Sequence, residues 1–165
     1  MNSSIVVRAW SQLTRDEFFD IARLRCEVFY VEQRITEPDI DETDRDERTR
    51  HLWIADPRGC AGYLRAVKLD DPQWGARRSF GRLAVRADRR GEGLARQLVA
   101  RVIADHGDEA IVIHSQQYVA RLYADFGFEA VGEPFEEAGI AHVAMLRRPR
   151  GLSATRGSAG RNRRR

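Results

Sequence analysis

Apolar residues recur along the chain with two periods, one typical of strands and one typical of helices. Short apolar runs rich in β-branched residues predict strands over residues 4–10, 51–55, 60–69, 79–86, 110–114, 128–131 and 140–146. Helical spacing predicts helices from Thr14 to about Tyr30, over 93–104, and over 117–126, where Gly127 suits a C-terminal cap. Thr14 and Glu17 have the spacing of a capping box, which supports the start of the first helix.

The segments between these elements are turns and one acidic loop. Residues 56–59 join two strands as a hairpin, residues 70–75 form a further turn, and the last two strands enclose a loop that contains glycine. Residues 37–48 hold seven acids in twelve positions and are predicted to form a loop with at most one helical turn. The order of elements predicts a mixed α/β (α+β) domain whose front half is largely antiparallel.

The length of 165 residues predicts one domain, residues 1–148, followed by a disordered tail, residues 149–165. No apolar stretch approaches the roughly 20 residues that span a bilayer, and residues 1–10 lack the pattern of a signal peptide. Because no apolar stretch is long enough, no membrane contact is expected. Two cysteines are too few for a disulfide scaffold, so reduced thiols and a cytoplasmic location are expected. Cys26 has apolar neighbours in the first helix and is predicted to be a core thiol.

The formal net charge of +3 is divided unevenly along the chain. Eight arginines and no acid follow position 146, so the first 146 residues carry a net charge of −5. The tail has too few apolar residues to order itself by burial. It is either a solvated C-terminus or an arm for nucleic acid, and nucleic-acid contact is expected only through this tail.

Residues 80–95 carry the most specific pattern: a strand end, a basic turn that contains Gly91 and Gly93, and a helix start. Glycines allow the backbone to approach a ligand closely, and the first N–H groups of a helix lack intrahelical partners. Together with the helix dipole, these groups form an anion site suited to a diphosphate. Arg89 or Arg90 would add positive charge there.

Two well-known phosphate loops do not fit this turn. A Walker loop requires a lysine that is absent, and a Rossmann fingerprint requires a third glycine where Arg96 stands. Taken alone, the turn is also compatible with a tight strand-to-helix connection.

Two motifs make the sequence resemble the GNAT superfamily of N-acetyltransferases. Arg90, Gly93 and Ala95 occupy the positions of its R-x-x-G-x-G/A signature, and residues 120–128 resemble its A-x-x-Y-x-x-x-G-F segment. Three further stretches resemble its ElaA-type branch, namely residues 24–33, 39–52 and 136–142. The resemblance spans about residues 20–146. It implies a mixed central sheet of about six to seven strands, about four flanking helices, and a V-shaped splay between the two central parallel strands.

In that superfamily acetyl-CoA binds where the two parallel strands splay, which here would be the strands ending near Val85 and His114. The resemblance implies that backbone groups of Leu83, Ala84 and Val85 hold the pantetheine arm and the acetyl carbonyl. The diphosphate would be held by N–H groups of the loop and helix start, namely Arg90, Gly91, Glu92, Gly93, Leu94 and Ala95. No metal is expected, because the four histidines and two cysteines lack a metal-ligand spacing.

The implied chemistry is direct attack of an amine on the thioester in a ternary complex. An alkyl ammonium has a pKa near ~10.4 and must first lose a proton, so a base or a carboxylate-lined water chain is expected, and the departing thiolate benefits from a proton donor. Tyr123 matches the position of the superfamily's general acid, or else it only packs on its helix. Glu32, His142 and Glu136 are the candidate bases, and the sequence does not choose among them.

The function expected from these features is N-acetyltransfer to a primary amine of a small molecule or peptide, by a monomer or a homodimer. An acyl-CoA-binding module without transfer activity is the alternative, and the presence of Tyr123 weighs against it. The acidic segment 37–47 is either a solvated loop or an attractor for a cationic acceptor such as a polyamine, an aminoglycoside or a basic peptide.

Overall fold

The computed structural model describes residues 4–149, and a seven-stranded sheet lies at its centre. The strands are β1 (Ile5–Arg8), β2 (Arg50–Asp56), β3 (Gly59–Gln73), β4 (Ala76–Val85), β5 (Ile111–Gln116), β6 (Glu129–Glu137) and β7 (Ile140–Arg147). The α-helices are α1 (Arg15–Arg25), α2 (Leu94–His106) and α3 (Ala120–Ala124), and α1 continues into π-helical turns over Cys26–Glu32. This arrangement confirms the predicted mixed α/β class. In addition to the three α-helices, residues 4–149 contain the π-helical turns that continue α1.

The strands are arranged in the order β1-β2-β3-β4-β5-β7-β6. All neighbouring strands are antiparallel except β4 and β5, which run parallel. A parallel pair needs a crossover connection, and α2 supplies it. The largely antiparallel front half predicted from the sequence is therefore confirmed, and the single parallel pair lies at the middle of the sheet.

The two faces of the sheet have separate apolar cores. Leu52 and Ile54 of β2 belong to the core beneath α2, whereas Trp53 belongs to the core beneath α1. Because successive side chains of a strand point to opposite faces, α1 and α2 cover opposite faces of the sheet. α3 lies on the α2 side, where Tyr123 packs into the same core.

Helix α1 begins at the capping box that the sequence predicts. The Thr14 hydroxyl accepts a hydrogen bond from the Glu17 backbone at 3.2 Å, and the Glu17 carboxylate accepts one from the Thr14 backbone at 2.9 Å. The prediction of a core thiol at Cys26 is wrong, because the helix changes to π-helical geometry at that residue and the side chain is exposed. Arg25, its neighbour, is the side chain that is fully buried.

Two hairpins differ from the sequence prediction. The turn predicted over residues 70–75 is shorter, because β3 continues to Gln73 and pairs with β4 beyond the end of its buried stretch. The loop predicted between the last strands is likewise reduced to Ala138 and Gly139, since β6 extends to Glu137. The 3-10 turn Glu42–Arg45 matches the helical turn expected in the acidic loop.

Within residues 4–149 no helix combines the length and the apolar content that crossing a bilayer would require. The predicted nucleic-acid arm falls almost wholly on residues 150–165, which lie outside the described residues.

Candidate active site

A wedge opens between the two parallel strands at the middle of the sheet. β4 and β5 are joined by only two residue pairs, Arg78 with Ile111 and Ser79 with Val112. Beyond these pairs β4 remains paired with β3, whereas β5 remains paired with β7. The carboxyl-terminal halves of the two strands therefore separate, which is the splay that the sequence resemblance implies.

A β-bulge shapes the β4 side of this wedge. Opposite Leu64 of β3, β4 has two residues, Arg82 and Leu83, where a regular ladder has one. Arg82 adopts a φ of +54°, which is uncommon for a residue with a Cβ, and bulges of this kind often lie beside active sites. Leu83, a predicted contact for the pantetheine arm, lines the wedge at the bulge. Ala84 is buried in the core beneath α1.

The loop that follows β4 presents a row of free backbone N–H groups. Within residues 4–149 the N–H groups of residues 91–96 donate no hydrogen bond, and the first helical bond runs from Gln97 to the Gly93 carbonyl at 3.1 Å. Gly91 and Gly93 both have a φ of +80°, and a Cβ at either would point into open space. The glycines are thus required by the backbone conformation, and the N–H groups fit the predicted diphosphate site.

The arginines of this loop are already paired with carboxylates. Arg89 contacts Asp56 at 2.5 Å and Glu92 at 2.9 Å. Arg90 donates to the Val85 carbonyl at 3.1 Å and contacts Glu32 at 2.7 Å. The extra positive charge expected from Arg89 or Arg90 is therefore partly neutralised by this chain's own acids.

A cavity of about 570 Å³ occupies the wedge and the space beside it. β4 contributes its bulge to the lining, β5 contributes His114 and Gln116, and the acidic loop contributes Glu37 and Asp39. Two of the three predicted catalytic residues, Tyr123 and His142, line this same cavity. Glu32 does not, and it lines a separate cavity of about 510 Å³ beside Arg86 and Asp88.

Tyr123 reaches the cavity from the α2 side of the sheet. Its ring packs against Phe80 and Phe128 with centroid separations of 5.8 and 6.1 Å, and only 6% of the residue is exposed. Within the described residues its hydroxyl has no hydrogen-bond partner. Burial, and secondarily the neighbouring Tyr118, raise the pKa of Tyr123 above its ordinary value, so the phenol remains protonated at neutral pH.

His142 reaches the cavity from the other side. It lies on β7 opposite Gln116, is 8% exposed, and stacks on Phe135 with a centroid separation of 5.8 Å. Its Nδ1 lies 2.7 Å from the Ile140 carbonyl oxygen, which can only accept, so Nδ1 carries the proton. The Nε2 of neutral His142 therefore has a free lone pair, as a general base requires.

The alternation along β5 places a second histidine on the His142 side. Ile113 belongs to the core beneath α2, so His114 points to the opposite face. Its ring meets Phe135 edge-on at 5.1 Å, and its Nδ1 lies 3.8 Å from the Glu137 carboxylate. Glu136, the remaining predicted base, is exposed and does not line the cavity.

The three central aspartates of the acidic loop are already paired with arginines of the same chain. Arg25, fully buried, donates to Asp39 at 2.7 Å and to Asp44 at 2.6 Å. Arg65 contacts Asp41 at 2.7 Å, and Arg82 lies 2.6 Å from Asp39. The charges of Asp39, Asp41 and Asp44 are therefore compensated within the chain, whereas most other residues of the segment are exposed.

The pKa values of this cluster follow from the pairing. Burial is the largest single effect and would raise the pKa of Asp44, but the hydrogen bond and charge of Arg25, the Asp41 backbone hydrogen bond and the charge of Arg65 together outweigh it, and the pKa is lowered. Burial likewise opposes the charge of Arg25, and the hydrogen bonds to Asp39 and Asp44 raise its pKa above the ordinary value. Both groups are consequently charged at neutral pH.

Two further buried groups have structural contacts. His51 is fully buried between the Tyr63 hydroxyl at 2.8 Å and the Asp44 carbonyl at 2.9 Å, and burial lowers its pKa. Cys60 lies in the core beneath α1, where burial raises the pKa of the thiol to about 12.

Among residues 4–149 no three His, Cys, Asp or Glu side chains are grouped as a metal site requires.

Gln33, His114 and Glu137 line the cavity but were not among the catalytic or binding residues predicted from the sequence. Gln33 accepts a hydrogen bond from Gln116 at 3.0 Å and so ties the end of the π-helical turns to β5. The alternation of side chains along residues 111–116 predicts the direction of His114. If Ile113 points into the core, His114 must point to the opposite face of the strand. No local pattern indicates Gln33 or Glu137, because their neighbours in the cavity are distant in sequence.

Parallel strands that splay beside a glycine-rich helix start define the acyl-CoA N-acyltransferase fold. Residues 20–148 match the family described as "Acetyltransferase (GNAT) domain", so the chain belongs to the GNAT family, whose members use acyl-CoA cosubstrates. Within the family the chain belongs to the ElaA-type branch. The predicted resemblance is therefore confirmed.

The relatives of the chain support this placement. A UPF0039 protein of Mycobacterium tuberculosis is 35% identical over 143 residues, which cover 85% of this chain and 90% of that protein. Protein ElaA of Escherichia coli is 33% identical over 143 residues, covering 83% of this chain and 91% of ElaA. The crystal structures of ElaA and of an acyl-CoA N-acyltransferase from Pseudomonas aeruginosa each superpose with a TM-score of 0.78 at 29% identity. Each of these superpositions covers 87% of this chain and 98% of the other.

Proposed function

We propose that this protein transfers the acetyl group of acetyl-CoA to a primary amine by direct attack in a ternary complex. One observation carries the proposal: Tyr123 and His142 line the same cavity from opposite faces of the sheet, on either side of the wedge between β4 and β5. The amine loses a proton as it adds to the thioester carbonyl, and the thiolate takes up a proton as the C–S bond of the tetrahedral intermediate breaks, so acceptor and donor are needed at two different places around the reacting carbon. A proton acceptor and a proton donor on opposite faces match that requirement.

The residues around the wedge fit an acyl-CoA, which supplies an activated thioester. The free N–H groups of residues 91–96 are suited to its diphosphate, and the open space beside Gly91 and Gly93 admits close approach. The bulge at Leu83 is the backbone segment that would meet the pantetheine arm. The wedge itself gives the arm a path between the two core layers of the domain.

Among the three predicted bases, the geometry favours His142. Its Nε2 is free because Nδ1 donates to the Ile140 carbonyl, and the ring is held by its stacking on Phe135. We assign it the removal of the proton from the acceptor ammonium. Glu32 faces a different cavity and holds Arg90, and Glu136 is exposed outside the cavity.

Tyr123 is assigned the donation of a proton to the departing thiolate. Its raised pKa keeps the phenol protonated at neutral pH, and its hydroxyl has no competing partner within the described residues. A donor held in place by Phe80 and Phe128 loses little entropy when it meets the sulfur.

The experiment that tests the function is a thiol-release assay with acetyl-CoA over a panel of primary amines, with CoA binding measured separately by calorimetry. We expect CoA to bind and at least one amine to release thiol above the rate of hydrolysis, with the acetylated amine identified by mass spectrometry. Tight CoA binding without release by any amine would overturn the proposal in favour of a non-catalytic acyl-CoA-binding module.

A further inference from the structure

The charged side chains that line the 570 Å³ cavity differ in whether they already have partners. Five are present together with two histidines: Glu37, Asp39, Arg65, Arg82, Glu137, His114 and His142. The selectivity of the cavity for charged acceptors depends on which of these charges remain uncompensated.

Both arginines of the cavity are compensated by the acidic loop. Arg82 is held by Asp39 at 2.6 Å, and Arg65 is held by Asp41 at 2.7 Å and by Asp44 at 3.1 Å. The buried Arg25 completes this group by pairing with two of the same aspartates. Three arginines and three aspartates thus leave no net charge, so an anionic group of an acceptor meets no excess positive charge in this group.

The two glutamates of the cavity are not compensated in this way. Among residues 4–149 neither Glu37 nor Glu137 contacts an arginine or lysine, and the nearest basic atom to Glu137 is His114 Nδ1 at 3.8 Å. They come from separate segments, Glu37 from the loop before β2 and Glu137 from the end of β6. The cavity therefore carries an uncompensated charge of about two negative units while its histidines are neutral.

The reacting position in the same cavity is marked by two polar atoms without hydrogen-bond partners among the described residues. The Nε2 of His142 and the hydroxyl of Tyr123 belong to side chains more than nine-tenths buried, and both residues line the cavity. An acceptor amine placed between them leaves its other groups to the rest of the cavity, where Glu37 and Glu137 lie. The volume of the cavity is typical of a small-molecule site.

We propose that the acceptor is a small linear polycation, a diamine or polyamine, whose non-reacting ammonium groups pair with Glu37 and Glu137. This inference rests on the proposed function, because it names the acceptor class for the same site. The attraction then comes from Glu37 within the acidic segment 37–47 and from Glu137 outside it, since the central aspartates of that segment are already paired.

The test compares acceptors that match in length and differ in charge: putrescine, butylamine and gamma-aminobutyrate, each with saturating acetyl-CoA. We expect kcat/KM for the diamine to exceed that for the monoamine by about tenfold, the size expected from two partly exposed charge contacts, and the zwitterion to be the poorest substrate. The preference should shrink as ionic strength rises, because such contacts are screened. Equal kcat/KM for the diamine and the monoamine would overturn the inference and leave the acetyltransferase function standing.

Variants of the two glutamates test which residues cause the preference for the diamine. Glu37→Gln and Glu137→Gln should each reduce the diamine-to-monoamine ratio of kcat/KM by about threefold, mainly through the KM for the diamine. Glu133→Gln removes the same charge from an exposed position of β6 outside the cavity and is the matched control. If Glu133→Gln changes the ratio as much as Glu137→Gln, the effect is one of general surface charge and the inference fails. A basic peptide acetylated far more efficiently than putrescine would also overturn the choice of a small polycation.

A binding measurement separates failure of the inference from failure of the function. If no amine releases thiol, putrescine and butylamine are titrated into the CoA-loaded protein. Tighter binding of putrescine that is lost in Glu137→Gln would overturn the transfer reaction and support the cation site. Equal binding of the two amines would overturn both.

Discussion

Arg25 and Asp44 form an ion pair in which both side chains are fully buried, with Nη1 and Oδ1 separated by 2.6 Å. The pair anchors the acidic loop against the sheet, and the loop in turn carries Asp39 to Arg82 at the β4 bulge. One wall of the cavity therefore depends on a contact in the interior of the domain. Buried pairs of this kind are costly to break, because removing one partner leaves an uncompensated charge.

The first prediction concerns stability. Asp44→Asn should lower the free energy of unfolding by about 3 kcal/mol, because Arg25 keeps its charge and loses its best partner. Urea denaturation monitored by circular dichroism measures the loss. Asp105→Asn, which breaks the exposed pair of Arg101 and Asp105 at 2.9 Å, is the control and should cost less than about 0.5 kcal/mol. Equal losses in the two variants would contradict the anchoring role.

The same pair predicts a pH dependence. The pKa of Asp44 is lower in the folded protein than its ordinary value of 3.8, so its contribution to stability is present above that value. The contribution is lost as the pH falls below 3.8 towards the folded pKa. Stability measured between pH 3 and 6 should therefore decline less steeply in Asp44→Asn than in the parent protein. Parallel curves for the two proteins would contradict this linkage.

The second prediction concerns Tyr123. Tyr123→Phe should lower kcat by about 10²-fold, while the KM for acetyl-CoA changes little, because only the proton donor is removed. The hydroxyl has no partner among the described residues, so the unfolding free energy should be unchanged, which separates a chemical role from a packing role. Tyr30→Phe, at an exposed position, is the control. An unchanged kcat at saturating acetyl-CoA would remove Tyr123 from the mechanism.

The third prediction concerns His142 and uses the pH profile as its readout. His142→Gln should lower kcat/KM for the amine by about 10²-fold near neutral pH, because the acceptor arrives as an ammonium ion. The deficit should narrow as pH rises towards the amine pKa near ~10.4, since free amine then no longer needs the base. A deficit that stays constant with pH would indicate a structural role. His106→Gln, at the end of α2, serves as the control.

Elements whose signals are local could be predicted from the sequence. The capping box of Thr14 and Glu17 fixes the start of α1 within a few residues, and Gly93 adopts the φ of +80° that the glycine-rich turn leads one to expect. Each signal depends on hydrogen bonds or dihedral angles inside one short segment. The splay between β4 and β5 could be predicted only from the resemblance to a known family.

Features that depend on distant partners could not be predicted. Helical periodicity predicts Cys26 as the buried residue, but the switch to π-helical geometry and the carboxylates of Asp39 and Asp44 make Arg25 the buried one instead. A charged side chain is buried only when such partners surround it. The residues next to Arg25 in the sequence do not indicate which carboxylates will pair with it. The free Nε2 of His142 is likewise determined by a contact to Ile140 that requires the strand geometry.

The fourth prediction concerns Gly93. Gly93→Ala should raise the KM for acetyl-CoA about tenfold or more, because it adds a methyl group in open space within the segment whose free N–H groups fit the diphosphate. It also strains a backbone with a φ of +80°, at a cost of about 1–2 kcal/mol. Gly75→Ala has nearly the same φ, +79°, and an equally open surrounding in the β3–β4 turn, so it is the matched control. The two variants should lose similar stability, and only Gly93→Ala should lose acetyl-CoA affinity.

The last prediction separates the two roles open to Glu32. Its carboxylate lies 2.7 Å from Arg90, beside the loop that fits the diphosphate. If Glu32 competes with the diphosphate for Arg90, Glu32→Gln frees that guanidinium and should lower the KM for acetyl-CoA about threefold with kcat unchanged. If Glu32 were the general base, kcat would instead fall by about 10²-fold and the KM for acetyl-CoA would stay constant. Steady-state kinetics with each substrate varied in turn measures both constants. Glu27→Gln, in the same cavity and without a partner among the described ion pairs, controls for a general loss of negative charge near the loop.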